Sequence, residues 1–230
     1  MRDSPAPMKQ RPPTIARERF QQRADEFARL SPEQVFQRIH DTNLWGASES
    51  VSGVGSEMSA TAQLRAQLPP LLREIGAEVL LDIPCGDFTW LSQTALPVSR
   101  YIGADIVETI VERNRQRYGR EFLHLDLCSS ELPAADVVLC RDCLVHLSYA
   151  QIADAVKNLK RSGSTWLLTT TFPECEENTD IATGDWRVLN FELAPFHWGP
   201  PAQLLVEGCT EGGGGFEDKS LGLWRISDLP

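Results

Sequence analysis

The run from Val79 to Trp90, Val-Leu-Leu-Asp-Ile-Pro-Cys-Gly-Asp-Phe-Thr-Trp, constrains the fold more than any other stretch. Val79 to Leu81 is apolar throughout and ends on an acid, Asp82. A strand that is apolar on both faces belongs in a parallel sheet with helices on each side. Pro84 cannot donate to a sheet ladder, and Gly86 tolerates the tight turn that must follow. Asp87 is placed to cap a helix beginning near Phe88. Strand, turn and helix N-terminus then bring backbone N–H groups to a point beyond the strand's carboxyl end. In an open α/β sheet, a nucleotide-like ligand sits there.

A second acid supports this reading. Arg100 to Ile106 repeats the apolar pattern, and its Asp105 follows Gly86 by nineteen residues. That is close to the ~20-residue interval between a Gly-rich turn and a ribose-binding acid. The turn itself lacks the G-x-G-x-x-G of a pyrophosphate site, because Pro84 and Phe88 stand where glycines would be. The expected ligand therefore carries adenosine without a pyrophosphate.

The totals narrow the function classes. The 230 residues suffice for one α/β domain with a modest extension. A net charge of −10 argues against a nucleic-acid partner. No run approaches the eighteen or so apolar residues of a membrane span, so no membrane partner is expected. The Pro- and Arg-rich N-terminus has no apolar core, so no signal peptide is read. Six unevenly spaced cysteines fit free thiols in a reducing cytoplasm.

Three segments follow from the pattern. Residues 1–30 form a basic arm, with seven positive and four negative side chains. Met1 to Pro13 is expected to be disordered, and a helix starts after Thr14 with Phe20, Ala24 and Phe27 on one side. Residues 31–76 form a helical extension. Ser31-Pro32-Glu33-Gln34 is a capped helix start, and Val35, Phe36 and Ile39 are its apolar side. Asn43 to Ser56 holds four serines and three glycines around Trp45. It reads as a flexible linker or as a lid, with Trp45 as anchor and Glu49, Ser50 and the other serines facing a polar ligand. Met58 to Ile75 reads as helix, divided at Pro69-Pro70. In residues 77–230, strands near 78–82, 100–104, 121–125, 135–140 and 164–170 alternate with helices near 87–95, 107–117 and 148–161. Leu204–Cys209 and Leu221–Ile226 are strands with no helix between them, so they form a hairpin. The fold class is α/β, a mostly parallel sheet flanked by helices with an antiparallel C-terminal hairpin at its edge.

Several motifs carry a resemblance: Asn43-Leu-Trp-Gly with Glu49-Ser-x-Ser-Gly-x-Gly-Ser, Asp82-x-Pro-Cys-Gly-Asp, Tyr101-Ile-Gly-Ala-Asp-Ile, Cys140-Arg-Asp-Cys-Leu-Val-His-Leu-Ser, Thr183-Gly-Asp-Trp-Arg and Asp218-Lys-Ser-Leu-Gly-Leu-Trp. Together they resemble a bacterial group of class I S-adenosylmethionine (SAM) methyltransferases, over roughly Asn43 to Leu229. The resemblance implies a Rossmann-like fold, S-adenosyl-L-methionine as cofactor and a small-molecule acceptor methylated on oxygen or nitrogen. It places Asp82 near the methionine part of the cofactor, Asp105 on the ribose and Asp126 on the adenine amino group. An ordinary capping role is the alternative for Asp126. Pro84, Cys85, Gly86, Ile106, Leu127 and Arg141 complete the expected cofactor-binding set.

The same resemblance turns the loop after the fourth strand towards the transferred methyl. Methyl transfer needs an acceptor held in line and sometimes a base. Asp142 is the first candidate base or acceptor-orienting group, and His146 the second. Arg141 pairs either with an acidic substrate or with a neighbouring carboxylate. Cys140, Cys143 and His146 invite zinc, but no second close pair of ligands exists, so no metal is expected. Phe172 to Pro201 shows no helical period. It reads as a substrate-side wall including Trp186, Phe196, His197 and Trp198, or as an aromatic-packed crossover. Two other functions were weighed on the same residues. A nicotinamide dehydrogenase would want a Tyr-x-x-x-Lys pair, and Tyr101, Tyr118 and Tyr149 all lack it. A non-catalytic SAM-binding subunit is the second alternative.

Overall fold

A computed structural model describes residues 11–230. The first ten residues of the expected disordered arm lie outside the described residues. Seven strands form one sheet: β1 (Val79–Asp82), β2 (Arg100–Asp105), β3 (Glu121–His124), β4 (Val137–Cys140), β5 (Trp166–Thr171), β6 (Gln203–Val206) and β7 (Ser220–Arg225). Their order is β3-β2-β1-β4-β5-β7-β6. The first five are parallel, and β7 runs antiparallel to both β5 and β6. The strand order therefore reverses between β1 and β4, where a crevice opens beyond their carboxyl ends.

Alternation along each strand feeds two apolar layers. Leu81, Ile102, Val138 and Leu167 enter one with Ile152, Ala155 and Leu159 of α7 (Tyr149–Ser162). Leu80, Tyr101, Leu139 and Leu168 enter the other with Leu64, Leu68, Leu71 and Leu72 of α4 (Ala62–Glu74). α4 begins later than expected and runs unbroken through Pro69 and Pro70. The prolines remove two N–H donors, yet four leucines keep one helix face against the sheet. α5 (Thr89–Ser92) is a single turn where a longer helix was expected, whereas α6 (Glu108–Arg117) lies as expected. No described helix is long and apolar enough to cross a membrane.

The N-terminal helices form a third, smaller core. α1 (Ile15–Gln21) starts at Thr14, whose side chain accepts from the Arg17 N–H. α2 (Ala24–Phe27) is separate, so Phe20 and Phe27 stack at 4.6 Å from two short helices rather than one. α3 (Pro32–Asp41) opens with the expected capping box between Ser31 and Gln34. Arg11 corrects part of the disorder reading. It makes two hydrogen bonds of 2.7 Å to Asp218 and lies over the rings of Phe172 and Phe216. That fixes the start of the described arm against the C-terminal hairpin.

Gly103 shows how tightly the sheet is packed. It pairs with Phe122 across β2 and β3, and a Cβ there would lie 2.5 Å from the Phe122 ring. Gly103→Ala should therefore lower stability by about 1–3 kcal/mol, measured as a fall in the midpoint of urea unfolding. An unchanged midpoint would mean that the ring yields freely.

Candidate active site

The crevice at the switch point is an open cleft. Asp82, Ile83, Pro84, Cys85, Gly86 and Asp87 line it beyond β1, Asp105 to Val107 beyond β2, and Leu125 to Cys128 beyond β3. Arg141 to Cys143 line it beyond β4. All nine residues of the expected cofactor-binding set lie here.

Gly86 turns left-handed at φ +52°, and a Cβ there would lie within bonding collision of the Ser52 hydroxyl, so only glycine fits. Phe88 also adopts φ +58°. It takes the backbone a glycine would take and buries its ring against Tyr101, Tyr118 and Phe122 at 4.7–5.4 Å. The left-handed conformation costs about 1–2 kcal/mol, which burial of a phenyl ring at about 1.5–3 kcal/mol offsets. This is why the departure from a third glycine is tolerated. Asp87 does not cap by occupying the position before α5. Its Oδ1 accepts from the Thr89 N–H at 3.0 Å one residue earlier.

The floor acids are buried. Asp105 Oδ2 accepts from the Gly86 N–H at 3.0 Å, and Oδ1 from the Val107 N–H at 2.9 Å. Burial outweighs these bonds and pushes its carboxyl up to about 6. Asp82 accepts from the Tyr101 hydroxyl at 2.7 Å, and burial pushes it up to about 7. Asp126 accepts from the Cys128 N–H and the Ser129 hydroxyl, so it does cap its own turn while lining the cleft.

The segment from Asn43 to Ser56 is packed over this turn. The Ser52 hydroxyl accepts from the Asp87 N–H at 2.9 Å, and the Val51 N–H donates to Asp87 Oδ2. Trp45, Val51, Ser52 and Ser56 line the cleft, but Glu49 and Ser50 do not. Glu49 instead accepts from the Met58 N–H, and Ser50 from the Ser52 N–H. Pro32, Phe36 and His40 of α3 form a wall that the sequence reading missed. The signal was there: Phe36 and His40 are four apart and share a helix face.

A second cleft adjoins the first. Trp45, Ser52, Asp142 and His146 line both. Pro13 to Ala16, Phe172, Trp186, Glu211, Phe216 and Lys219 are among its remaining walls. Trp186 is thus on the wall as expected. Phe196 and Trp198 are buried with Phe191 and Trp224 and pack the crossover instead. His197 is exposed and lines neither cleft.

Between the clefts lies a buried charge cluster. Arg141 donates to both oxygens of Glu207, at 3.2 and 2.6 Å, and to the Gly55 carbonyl at 2.9 Å. Its partner is a carboxylate of its own chain. Asp142 sits at φ +50° and accepts from Lys219 Nζ at 2.7 Å. Burial opposes its charge, but Lys219 and Arg141 outweigh burial and hold the carboxyl well below the usual range. His146 differs. Its Nδ1 is 2.8 Å from the Asp185 carbonyl, which requires the proton on Nδ1 and leaves Nε2 with a free lone pair. Burial pushes its pKa down to about 4, so the ring is neutral at pH 7.

A family profile described as a methyltransferase domain matches residues 81–164, which carry the floor acids, the Asp142 loop and His146. By that match, residues 81–164 resemble a methyltransferase domain. The N-methyltransferase NodS from Bradyrhizobium japonicum WM9 shares its fold at TM-score 0.51 and 15% identity, covering 75% of this chain and 98% of NodS. Magnesium protoporphyrin IX methyltransferase from Synechocystis PCC 6803, solved with bound SAM, gives TM-score 0.48 at 18% identity over 67% of this chain and 82% of its own. The sugar N-methyltransferase KedS8 from Streptoalloteichus sp ATCC 53650 gives 0.42 at 19% identity, over 54% of this chain and 55% of its own. No curated protein matches the chain.

Arg187 positions the His146 turn. It is buried and donates to the carbonyls of Leu144 and Leu147 at 2.8 and 2.7 Å, and to Thr179 at 3.3 Å. Sequence spacing could not pair residues some forty apart. Arg187→Met removes the side-chain donor from the Leu147 and Thr179 carbonyls and one of two donors from the Leu144 carbonyl, and should cost on the order of 3 kcal/mol. The melting temperature should then fall by roughly 6–12 °C. A fall under a degree or so would show that the turn holds without it.

Proposed function

We propose that this protein transfers a methyl group from S-adenosyl-L-methionine to a small-molecule acceptor, by O- or N-methylation. One observation carries the reading: the two adjoining clefts share the wall formed by Trp45, Ser52, Asp142 and His146. The first takes the cofactor and the second the acceptor. When bound, the cofactor supplies an electrophilic methyl on a sulfonium. The donor set fits it. Asp105 keeps lone pairs free for ribose hydroxyls, while Ile106, Val107 and Leu127 offer apolar sides to a base. Asp82, Pro84, Cys85, Gly86, Asp126 and Arg141 are the other cofactor-side residues.

His146 is the candidate base in this reading, because its Nε2 is left unbound while Asp142 is tied to two cations. A carboxylate tied to Lys219 and Arg141 accepts protons poorly. A neutral imidazole with Nδ1 bound to a carbonyl presents Nε2 as acceptor. Asp142 then orients the acceptor, and Arg141 holds Asp142 and Glu207.

Two measurements test these roles. Ionised Asp105 is the stronger acceptor for ribose hydroxyls, and burial pushes its carboxyl up to about 6. Affinity for SAM should weaken as pH falls through 6, by up to about tenfold per pH unit in calorimetric titration, beside any step that Asp82 adds near 7. In Asp105→Asn binding should be weak throughout and the step near 6 absent. A pH-independent affinity in the unaltered protein would remove Asp105 from the ribose role. His146→Ala should lower turnover by about 10²–10⁴-fold and leave SAM affinity within threefold or so. Asp142→Asn should act mainly on acceptor KM. The opposite pattern would return the base role to Asp142.

A further inference from the structure

The charge pattern of the second cleft selects its acceptor, on the methyl-transfer reading just given. Among the described residues, Asp142, Glu211 and Lys219 are its ionised side chains. Exposure decides which sign the cavity presents. The Lys219 side chain is 7% exposed, whereas Asp142 is 25% and Glu211 30% exposed. Lys219 lies beneath the carboxylates, within 3.7 Å of Asp142, Glu207 and Glu211. Arg141 and Glu207 lie deeper still, at 5% and 2%. Two cations thus face three carboxylates, and the surplus negative charge is on the open side.

Much of the rest of the cleft is aromatic and apolar. Phe172, Trp186 and Phe216 meet edge to face at 5.5–6.4 Å, with Trp45 and Ile15 on other walls. Ring faces of this kind attract cations. Two of these rings already do so, since the Arg11 guanidinium lies 5.3 Å from Phe172 and 5.7 Å from Phe216.

We propose that the acceptor is an amine carried on an apolar aromatic body, and that the enzyme methylates nitrogen. The amine binds as its ammonium form and gives up one proton to solvent on the open side of the cleft, which frees the nitrogen lone pair for the step. Its lone pair forms the N–CH3 bond as the C–S bond breaks, and that electron pair returns to sulfur. The sulfonium becomes a thioether, and the positive charge arrives on nitrogen. The methylammonium then loses a proton to solvent, with neutral His146 Nε2 placed to accept its N–H hydrogen bond. Asp142 and Glu211 stabilise the charge that develops on nitrogen. The same carboxylates oppose the oxyanion that oxygen methylation needs, and they repel carboxylate or phosphate groups.

Three probes with one indole ring separate the possibilities: tryptamine, tryptophol and indole-3-acetate. Each is titrated into protein saturated with S-adenosylhomocysteine, then incubated with labelled SAM, with the methylated atom located by mass spectrometry. Tryptamine should bind about tenfold or more tighter than the other two and take the label on its side-chain nitrogen. Glu211→Gln should reduce that preference while leaving S-adenosylhomocysteine affinity unchanged. Equal or tighter binding of tryptophol or indole-3-acetate, label on oxygen, or no binding by any probe would overturn the amine assignment alone. Failure of S-adenosylhomocysteine itself to bind would overturn the methyl-transfer reading, and this one with it.

Discussion

The pairing of Arg141 with Glu207 is the contact on which the site's architecture depends. Arg141 follows β4, Glu207 follows β6, and Lys219 immediately precedes β7. Their ion pairs join the centre of the parallel sheet to the antiparallel hairpin. Burying such charges costs several kcal/mol per ion unless geometry and hydrogen bonds compensate. Here they do: Arg141 meets Glu207 through two nitrogens and gives a further bond to the Gly55 carbonyl. An apolar substitute would fill the space but would not fix three chain segments in register.

That registration explains the conformation of Asp142. A left-handed backbone is uncommon for an aspartate and needs surrounding contacts to hold it. Its N–H donates to the Thr170 hydroxyl at 2.8 Å, and its Oδ2 accepts from Lys219. Thr170 belongs to β5 and Lys219 precedes β7, so the loop is held by the two strands that follow β4 across the sheet. Asp142, one of the side chains shared by the two clefts, is therefore held by the sheet.

Much of this was legible in the sequence because it depends on local pattern. Apolar runs ending in Asp82 and Asp105 mark β1 and β2, and the capping residues Thr14, Ser31 and Ser148 mark helix starts. The Gly86 turn was legible because few residues tolerate it. What was not legible depends on distance. Arg141 and Glu207 are 66 residues apart, and Asp142 and Lys219 are 77 apart. Nothing in a single sequence assigns one buried cation to one carboxylate among 32 acidic residues. Arg11 was hidden for the same reason, since a basic arm reads as solvated until Asp218 is brought beside it. The continuous α4 is a different failure. Local proline chemistry favours a break, but burial of a leucine face overrides it.

The segment from Asn43 to Ser56 joins these two levels. Ser52 and Val51 bind Asp87 at the Gly86 turn, while the Gly55 carbonyl binds Arg141 in the charge cluster. Trp45, at its start, packs 4.9 Å from the His146 ring. One short stretch of chain therefore touches the cofactor turn, the charge cluster and the imidazole between the clefts. Gly53 gives it a left-handed bend at φ +98°, and a Cβ there would lie 3.6 Å from Trp45. Any displacement of this segment alters both clefts together, because the residues that hold it are the ones that line them. On the proposed function, that shared wall is the place where cofactor binding and acceptor binding would be coupled, with no distant relay needed.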